Sequence, residues 1–261
     1  IGKFKEARKY LLKSIQINPS WESYFIFANY LFETKNFELS LENLYKAKSL
    51  VEKRLSYMID SAIEITKVSK DKSIYQDNPK ILNKLTNKNI DRIIIKRNVE
   101  KELLSHLFTI KTKQLNKTTD SRYGKGVCSD FQLFDDKSPI ISKLSFDIKK
   151  ICKEEIGIKE MFISDSFFNI FISGSGQPPH NHIKNQDIRF KMYFIKYSLV
   201  YYLDIGDQKS KEPGLLKLHN PEEEILPSKG MIVIISGNRS HSVSYNGNKQ
   251  RVMIGVNFYG L

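Results

Sequence analysis

The chain has 261 residues, 40% of them hydrophobic and 11% aromatic, so it is long and apolar enough to bury a core without staples. No apolar run approaches the roughly 20 residues that cross a bilayer, and the first residues lack the apolar core of a signal peptide. The net charge of +13 is spread along the chain rather than collected in one run with aromatic residues. Neither membrane association nor nucleic-acid binding is therefore expected.

The two cysteines, Cys128 and Cys152, form no CxxC pair. Two isolated thiols in a chain of this size indicate a reducing compartment rather than a disulfide framework. The composition thus predicts a cytoplasmic globular protein.

The first 53 residues contain two segments that match each other. Phe4 recurs as Phe37 and Leu11 as Leu44, a spacing of 33 residues. The matched positions are Gly2, Phe4, Ala7, Leu11, Ser14 and Pro19 in the first segment and Asn36, Phe37, Ser40, Leu44 and Ala47 in the second. They supply the turn, the small contact residues and the terminating proline of a helix-turn-helix repeat. The pattern resembles the tetratricopeptide repeat, as the second half of one unit and then a nearly whole one with Trp21, Ala28 and Leu31 in its first helix.

Two positions depart from that repeat, since Lys35 replaces the turn glycine and Glu52 the closing proline. A single repeat cannot bury its own apolar face, and the chain begins inside a unit, so we expect further repeats upstream of Ile1. Two roles stay open for residues 1–53. They form either a groove that binds a peptide or protein partner or a helical collar that packs on the next domain.

Residues 54–118 are predicted to form a helical connecting region. Apolar residues recur at i, i+3 and i+4 in RLSYMIDSAIEITKV (54–68) and VEKELLSHLF (99–108), whereas the polar stretch SKDKSIYQDNP (69–79) is typical of a loop. His106 lies in the second of these helices. It is expected to be a packed or surface histidine and not a metal ligand.

The pattern changes in residues 119–261. A helix is predicted at SPIISKLSFDIKKICKEE (138–155), and short β-rich runs separated by turns follow it. The runs are FFNIFIS (167–173), YSLVYYLDI (197–205), GLLKLHNP (214–221), GMIVIIS (230–236) and RVMIGVNFY (251–259). Several short strands at close spacing indicate a sandwich or barrel, so the whole chain is predicted to be α+β.

Histidine is rare in this chain, yet two of its five histidines stand one residue apart in QPPHNHIKNQ (177–186). Side chains at i and i+2 project from the same side of an extended backbone, so His180 and His182 can both reach one metal ion. His241 follows in PSKGMIVIISGNRSHSV (227–243), and Arg251 begins the last β-rich run. Each of these pieces is weak alone, and their order along the chain carries the signal.

This ordered set resembles the double-stranded β-helix, or jelly-roll, of the 2-oxoglutarate- and Fe(II)-dependent oxygenases. The resemblance is to the prolyl-hydroxylase-like branch, and within it to a family whose first ligand motif reads HxH. It implies that His180 and His241 bind Fe(II), and that Arg251 and Tyr202 bind the far carboxylate of 2-oxoglutarate. The chemistry agrees, because a guanidinium offers a carboxylate a bidentate fork that lysine lacks.

Strand alternation divides the last run into two faces. One face holds Arg251, Met253, Gly255 and Asn257, and the other holds Val252, Ile254, Val256 and Phe258. If Arg251 faces the interior, Asn257 does too, so Asn257 is expected to join the cosubstrate site.

Two positions depart from the resemblance. His182 stands where most of the superfamily has the carboxylate of a 2-His-1-carboxylate triad, and three neutral imidazoles also suit zinc or copper, so the metal stays open. Asp187 would fill the third position only if its loop folds back, and His182 is the expected ligand. Ile172 lies where prolyl hydroxylases tend to have a tyrosine that contacts the cosubstrate. His219 is expected to pack or to line the substrate pocket.

The expected function is a dioxygenase that uses Fe(II), O2 and 2-oxoglutarate to hydroxylate an unactivated C–H bond. The prolyl-hydroxylase-like branch and the repeats favour a prolyl or other residue of a peptide or protein as substrate, with a small molecule still open. Two alternatives stand beside it. One is an inactive binding module that keeps its metal, and the other is a cupin-like dioxygenase that holds its metal with three histidines and does not use 2-oxoglutarate.

Overall fold

A computed structural model describes residues 2–70, 92–115, 124–189 and 192–261. The chain forms two compact units, one of residues 1–88, 184–194 and 261 and the other of residues 89–183 and 195–260. It is α+β, as predicted, and its named strands pair in antiparallel fashion. Within the described ranges, no helix is long and apolar enough to span a membrane.

Helices predominate in the first part of the chain and strands in the last part. The helices are α1 Gly2–Ile17, α2 Trp21–Glu33, α3 Phe37–Leu50, α4 Ser56–Lys70, α5 Lys101–Leu107, α6 Pro139–Ile156 and α7 Asn185–Arg189. The strands are β1 Ile93–Lys96, β2 Lys113–Gln114, β3 Val127–Cys128, β4 Met161–Phe171, β5 Ser175–His180, β6 Lys196–Asp204, β7 Pro213–Leu218, β8 Glu223–Ile225, β9 Met231–Ser236, β10 His241–Tyr245 and β11 Arg251–Gly260.

In the helical unit, α2 and α3 pack through small residues. Ser40 is fully buried, and its hydroxyl donates to the carbonyl oxygen of Ala28 at 2.8 Å. Leu44 and Ala47 are also fully buried. The turn between the two helices places Lys35 in the left-handed region, with φ of 61°. The matched small residues of the sequence thus lie at a helix contact, and lysine occupies a backbone conformation that favours glycine.

The predicted connecting region, residues 54–118, is only partly helical. Helices α4 and α5 confirm the two predicted helices, but β1 and β2 are strands, which corrects the prediction for this stretch. β1 pairs with β9, and the Arg97 side chain just beyond β1 donates to Asp147 of α6 at 2.7 Å. Of the predicted loop 69–79, residues 71–79 lie outside the described part of the chain.

The β-rich unit is a sandwich of two antiparallel sheets. The larger sheet has the strand order β1-β9-β6-β11-β4-β3-β2, and the smaller has the order β5-β10-β7-β8. All ten residues of β11 are buried because the strand lies centrally and both of its faces are covered. The last strand is therefore the one best placed to hold side chains inside the sandwich.

Two apolar layers cover the faces of the larger sheet. On the outer face, α6 presents a buried stripe of Ile141, Leu144, Ile148, Cys152 and Ile156, which packs with Val252, Ile254, Val256 and Phe258 of β11. On the inner face, Met253 packs with residues of both sheets. The predicted alternation of β11 is therefore confirmed. Both cysteines are free and buried, and burial raises the pKa of the Cys128 thiol to about 11 and that of the Cys152 thiol to about 12.

Candidate metal centre

The two neighbouring histidines lie at the end of an edge strand. β5 contains Pro178 and Pro179, and an edge position tolerates prolines because one side of the strand needs no ladder hydrogen bonds. His180 ends β5, and two residues later the backbone N–H of His182 donates to the carbonyl oxygen of Gly237 at 2.9 Å. The strand and this single hydrogen bond direct both imidazoles toward β10.

The third histidine faces the other two across the smaller sheet. His241 begins β10, where it pairs directly with His180 of β5. The ring centroid of His241 lies 4.5 Å from that of His180 and 5.1 Å from that of His182. One ligand atom from each of the three residues lies within 4.8 Å of the other two. The structure thus brings together the three histidines that the sequence proposed as ligands.

Backbone carbonyls set the tautomers of two of these rings. The Nδ1 of His180 lies 2.7 Å from the carbonyl oxygen of Pro178, and the Nδ1 of His241 lies 3.0 Å from that of Arg239. A carbonyl oxygen only accepts, so each Nδ1 carries the proton and each Nε2 keeps its lone pair. Histidine ligands of metals are commonly oriented in this way.

The spacing of two of the rings fits a metal ion. The Nε2 atoms of His182 and His241 are 3.3 Å apart. Two nitrogens each about 2.1 Å from one ion at a tetrahedral angle would lie about 3.4 Å apart. Burial, together with the nearby His180, lowers the pKa of the His241 imidazole to about 4, so this ring stays neutral, as a ligand must be.

The group contains no carboxylate among the described residues. Asp187 lies in the first turn of the short helix α7, and its carboxylate accepts a hydrogen bond from the backbone N–H of Lys184 at 2.6 Å. The donor set is therefore three imidazoles, which is compatible with iron, zinc or copper.

A second polar feature lies between the two sheets. Arg251 is fully buried at the start of β11, and its guanidinium carbon lies 4.9 Å from the centroid of the Tyr202 ring and 5.7 Å from that of Tyr245. Burial lowers the pKa of Arg251, and the neighbouring Tyr202 opposes that effect. Burial also raises the pKa of the Tyr202 phenol, which therefore stays neutral and can donate a hydrogen bond.

The hydrogen bonds of this guanidinium that meet normal geometry lie at one end, among the described residues. Its Nη1 donates to the carbonyl oxygen of Gly214, whereas Nε and Nη2 are buried without a hydrogen-bond partner among the described residues. Gly214 is required at this contact because its φ is +82° and a Cβ there would collide with Nη1. A buried cation with two unpaired donors side by side presents the fork that binds a carboxylate.

Comparison with solved structures supports the fold. No family description and no curated protein matches the sequence. Among solved structures, the non-heme alpha-ketoglutarate-dependent epimerase SnoN from nogalamycin biosynthesis has a TM-score of 0.50 at 9% identity, with coverage of 70% of this chain and 83% of the epimerase. The sandwich shares the fold of this epimerase.

Two further structures fall just below that level of similarity. One is a prolyl hydroxylase from Trichoplax adhaerens in complex with a hypoxia-inducible-factor peptide fragment, with a TM-score of 0.49, 17% identity and coverage of 71% and 91%. The other is an oxidoreductase of the 2OG-Fe(II) oxygenase family from Burkholderia pseudomallei, with a TM-score of 0.49, 12% identity and coverage of 69% and 90%.

The remaining candidate residues lie at several places around the sandwich. Asn257 faces the interior and is buried, whereas Ile172 is 43% exposed just past β4. His219 follows β7, and its Nε2 lies 2.9 Å from the hydroxyl of Ser242. His106 lies on α5, and its Nε2 is 3.0 Å from the Asp136 carboxylate. His106 is not part of the three-histidine group.

Three residues around the guanidinium were not predicted from the sequence. Gly214 and Tyr245 lie on the smaller sheet, and Phe171 pairs with Arg251 across β4 and β11. Their link to Arg251 depends on strand register and on the packing of one sheet over the other. The glycine that opens the run GLLKLHNP was the one available signal, since an isolated glycine at a strand marks a close approach.

Proposed function

We propose that this chain is an Fe(II)- and 2-oxoglutarate-dependent dioxygenase that hydroxylates an unactivated C–H bond. One observation carries the proposal, namely that the sandwich holds both a three-histidine group and a buried arginine with two unpaired donors. 2-Oxoglutarate has a 2-oxo acid end that can chelate a metal and a second carboxylate that matches the arginine. No other ligand is needed to explain both features.

The chain's own residues have separate tasks in this proposal. His180, His182 and His241 would hold Fe(II), and the far carboxylate of 2-oxoglutarate would lie on Nε and Nη2 of Arg251 with the Tyr202 hydroxyl beside it. The Gly214 carbonyl fixes the guanidinium by accepting from Nη1. Tyr245 and Phe171 are fully buried around it and exclude water, which strengthens the ion pair. This arginine with its surrounding residues is called the clamp below.

When bound, iron activates O2, so that one oxygen atom enters the product hydroxyl and the other enters succinate while 2-oxoglutarate loses CO2. The protein's contribution is positioning and the exclusion of water. A peptide or protein substrate, through a prolyl or other residue, is the choice that the sequence resemblance favours.

A specific observation supports a second candidate. The donor set has no carboxylate among the described residues, and three neutral imidazoles suit a cupin-like dioxygenase that does not use 2-oxoglutarate. The same observation fits a binding module that has kept a metal and lost turnover. Against both stands Arg251, since neither function requires a buried fork for a dicarboxylate.

Oxygen consumption separates the three functions. Protein reconstituted with Fe(II) without oxygen is then supplied with O2, with and without 2-oxoglutarate, and succinate is measured. We expect O2 uptake and succinate only when Fe(II) and 2-oxoglutarate are both present. Uptake without 2-oxoglutarate would support the cupin-like function, and a metal-loaded protein that consumes neither compound would support the binding module.

We also propose that residues 1–53 are tetratricopeptide-like and bind a protein partner. The support is the match of the two sequence segments, together with the buried contact of Ser40 with Ala28 between α2 and α3. The departure at Lys35 is a local one, since the turn forms with lysine in the left-handed region.

A further inference from the structure

Two asparagines on the inner face of the larger sheet have unused acceptors. The Oδ1 atoms of Asn169 and Asn257 are buried and have no hydrogen-bond partner among the described residues. Phe168 and Ile170 belong to the outer layer, as do Val256 and Phe258, so the two asparagines between them point inward. A buried acceptor without a partner is destabilising, and that cost is recovered when a ligand supplies a donor.

Strand register places the two asparagines at different depths. Met253 of β11 lies opposite Asn169 on β4 and opposite Tyr202 on β6. Asn169 is therefore at the level of the tyrosine that contacts the guanidinium. Asn257 lies four residues farther along β11, opposite Asp165, which is about 13 Å of strand.

That separation exceeds the reach of the cosubstrate. The five-carbon chain of 2-oxoglutarate has fewer atoms than the backbone of two residues, which spans about 7 Å in a strand. With its far carboxylate at Arg251, 2-oxoglutarate reaches the level of Asn169 and ends short of Asn257. The role in cosubstrate binding that the sequence suggested for Asn257 therefore does not fit its position on the strand.

Asn257 instead lies toward the metal end. Tyr245 is next to the guanidinium, and β10 leads from there to His241, four residues away. The backbone N–H of His182 donates to the carbonyl oxygen of Gly237, and the N–H of Gly237 donates to that of Lys196. Lys196 pairs with Tyr259, two residues beyond Asn257 on β11. The metal group and Asn257 thus lie on the same side of the clamp.

The surroundings of Asn257 combine polar and aromatic groups. Ser198 of β6 is buried directly opposite Asn257. The ring of Phe167 covers Gly255, where a Cβ would collide with it, and the edge of Phe131 meets that ring at a centroid distance of 5.1 Å. Such a site suits an N–H group with an apolar segment beside it.

We propose that Asn257 is a substrate-binding residue that accepts a hydrogen bond from an N–H group of the substrate. This inference rests on the proposed 2-oxoglutarate-dependent function. It assigns Asn169, and not Asn257, to the cosubstrate half of the site.

A matched pair of variants tests the assignment. 2-Oxoglutarate is titrated calorimetrically into Mn(II)-loaded wild type, Asn257→Leu and Asn169→Leu, with circular dichroism as the check on folding and Asn257→Ser as the replacement if leucine prevents folding. We expect the Kd of Asn257→Leu to stay within twofold of wild type. That of Asn169→Leu should rise about tenfold, because the Asn169 amide, turned so that Nδ2 faces the ligand, donates one charge-assisted hydrogen bond to a carboxylate. Equal effects of the two variants, or a tenfold loss with Asn257→Leu, would overturn the assignment.

The N–H group is tested with two defined pools. N-acetylated, C-amidated tripeptides form one pool and free amino acids the other, and each is assayed for succinate formed above the uncoupled rate. Stimulation by the tripeptides identifies a peptide amide and stimulation by amino acids an amine, and Asn257→Leu should raise the KM for the active pool about tenfold. If neither pool stimulates wild type, the N–H assignment is wrong. If wild type binds no 2-oxoglutarate, the proposed function itself has failed, which the calorimetry reveals separately.

Discussion

The two ends of the inter-sheet site are built in opposite ways. At the metal end, His180 and His182 are half-buried, and backbone carbonyls orient the rings of His180 and His241. At the clamp end, Arg251 is charged and fully buried, with two of its donors unpaired among the described residues. The first end is preorganised at little cost, whereas the second has a charge removed from water with incomplete compensation.

This difference determines what each end contributes. A buried charge without its partner costs several kcal/mol, so the clamp favours any ligand that supplies a carboxylate. Neutral imidazoles carry no such penalty, and their affinity depends on geometry and on proton release. In the proposed function, the clamp would therefore govern cosubstrate affinity and the histidines would govern metal content. Substitutions at one end should leave the property of the other end nearly unchanged.

The largest expected effect is the loss of metal on substitution of the buried ligand. Protein purified without chelator should carry close to one metal ion per chain, and His241→Ala should keep less than about a tenth of that, because it removes the most buried of the three ligands. Metal analysis by mass spectrometry measures this directly. Wild-type protein that takes up no iron, zinc or manganese under anaerobic conditions would mean that the site is misassigned.

Arg251→Ala is the matching substitution at the clamp end. Removal of one partner of a buried charge pair costs about 2–5 kcal/mol, so 2-oxoglutarate affinity should fall roughly a hundredfold or more while metal content is kept. Arg251→Lys should recover only part of the affinity because a point charge cannot reproduce the fork. Unchanged binding and consumption of 2-oxoglutarate by Arg251→Ala would show that the clamp does not bind the cosubstrate.

Acid should destabilise the metal-free protein through His241. Its pKa falls from the usual value near 6.5 to about 4 on folding, so the unfolded chain binds the extra proton between these two values. The contribution to stability is fully present above pH 6.5 and is lost as the pH falls toward 4, by up to about 3 kcal/mol. Urea unfolding in chelator at several pH values measures it. His241→Asn should flatten the dependence in this window, and an equal slope in both proteins would show that another group causes it.

A smaller change in metal affinity tests the third ligand. His182→Asp should keep iron binding because it restores the common 2-His-1-carboxylate set. His182→Ala should weaken iron binding by more than about tenfold, because the loss of a residue that only supports a ligand already costs about that much. Competition with a metal indicator gives both affinities. If His182→Ala binds iron as tightly as wild type, another group or water fills that position.

The smallest effect is expected outside the site, at the turn between α2 and α3. Lys35 has a φ of 61°, and a non-glycine residue in this conformation costs roughly 1–2 kcal/mol. Lys35→Gly should therefore raise the melting temperature of the protein by a few degrees without changing metal content or 2-oxoglutarate affinity. The matched control is Lys46→Gly within α3, which should lower the melting temperature because glycine weakens a helix interior.

Much of the fold follows from local patterns in the sequence. The i, i+3, i+4 spacing predicted α4, α5 and α6, and the β-rich runs predicted β4, β6, β7, β9 and β11. The strand β1 was missed because its short apolar run lies inside a largely helical stretch. The strand β5 lay outside the predicted runs because its two prolines argue against a strand. They are tolerated because β5 is an edge strand.

The site, like the fold, is only partly predictable from local sequence patterns. The histidines and Arg251 could be named from the sequence because rare residue types at a fixed order carry information that needs no register. The Gly214 contact, the Tyr245 ring and the depth of Asn257 depend on which residues face each other across strands and sheets. A one-residue slip in pairing would place each of them elsewhere, so only the folded chain identifies them.

One dicarboxylate ligand is proposed to bind both ends of the site. A comparison of 2-oxoglutarate with glutarate tests this claim. Glutarate keeps both carboxylates but lacks the 2-oxo group, so it cannot chelate the metal in the same way. Each compound is titrated into metal-free and Mn(II)-loaded protein. We expect Mn(II) to tighten 2-oxoglutarate binding at least tenfold, about 1.4 kcal/mol, and to leave glutarate binding unchanged. Equal binding of the two compounds in the presence of Mn(II), or no binding of either, would contradict the claim.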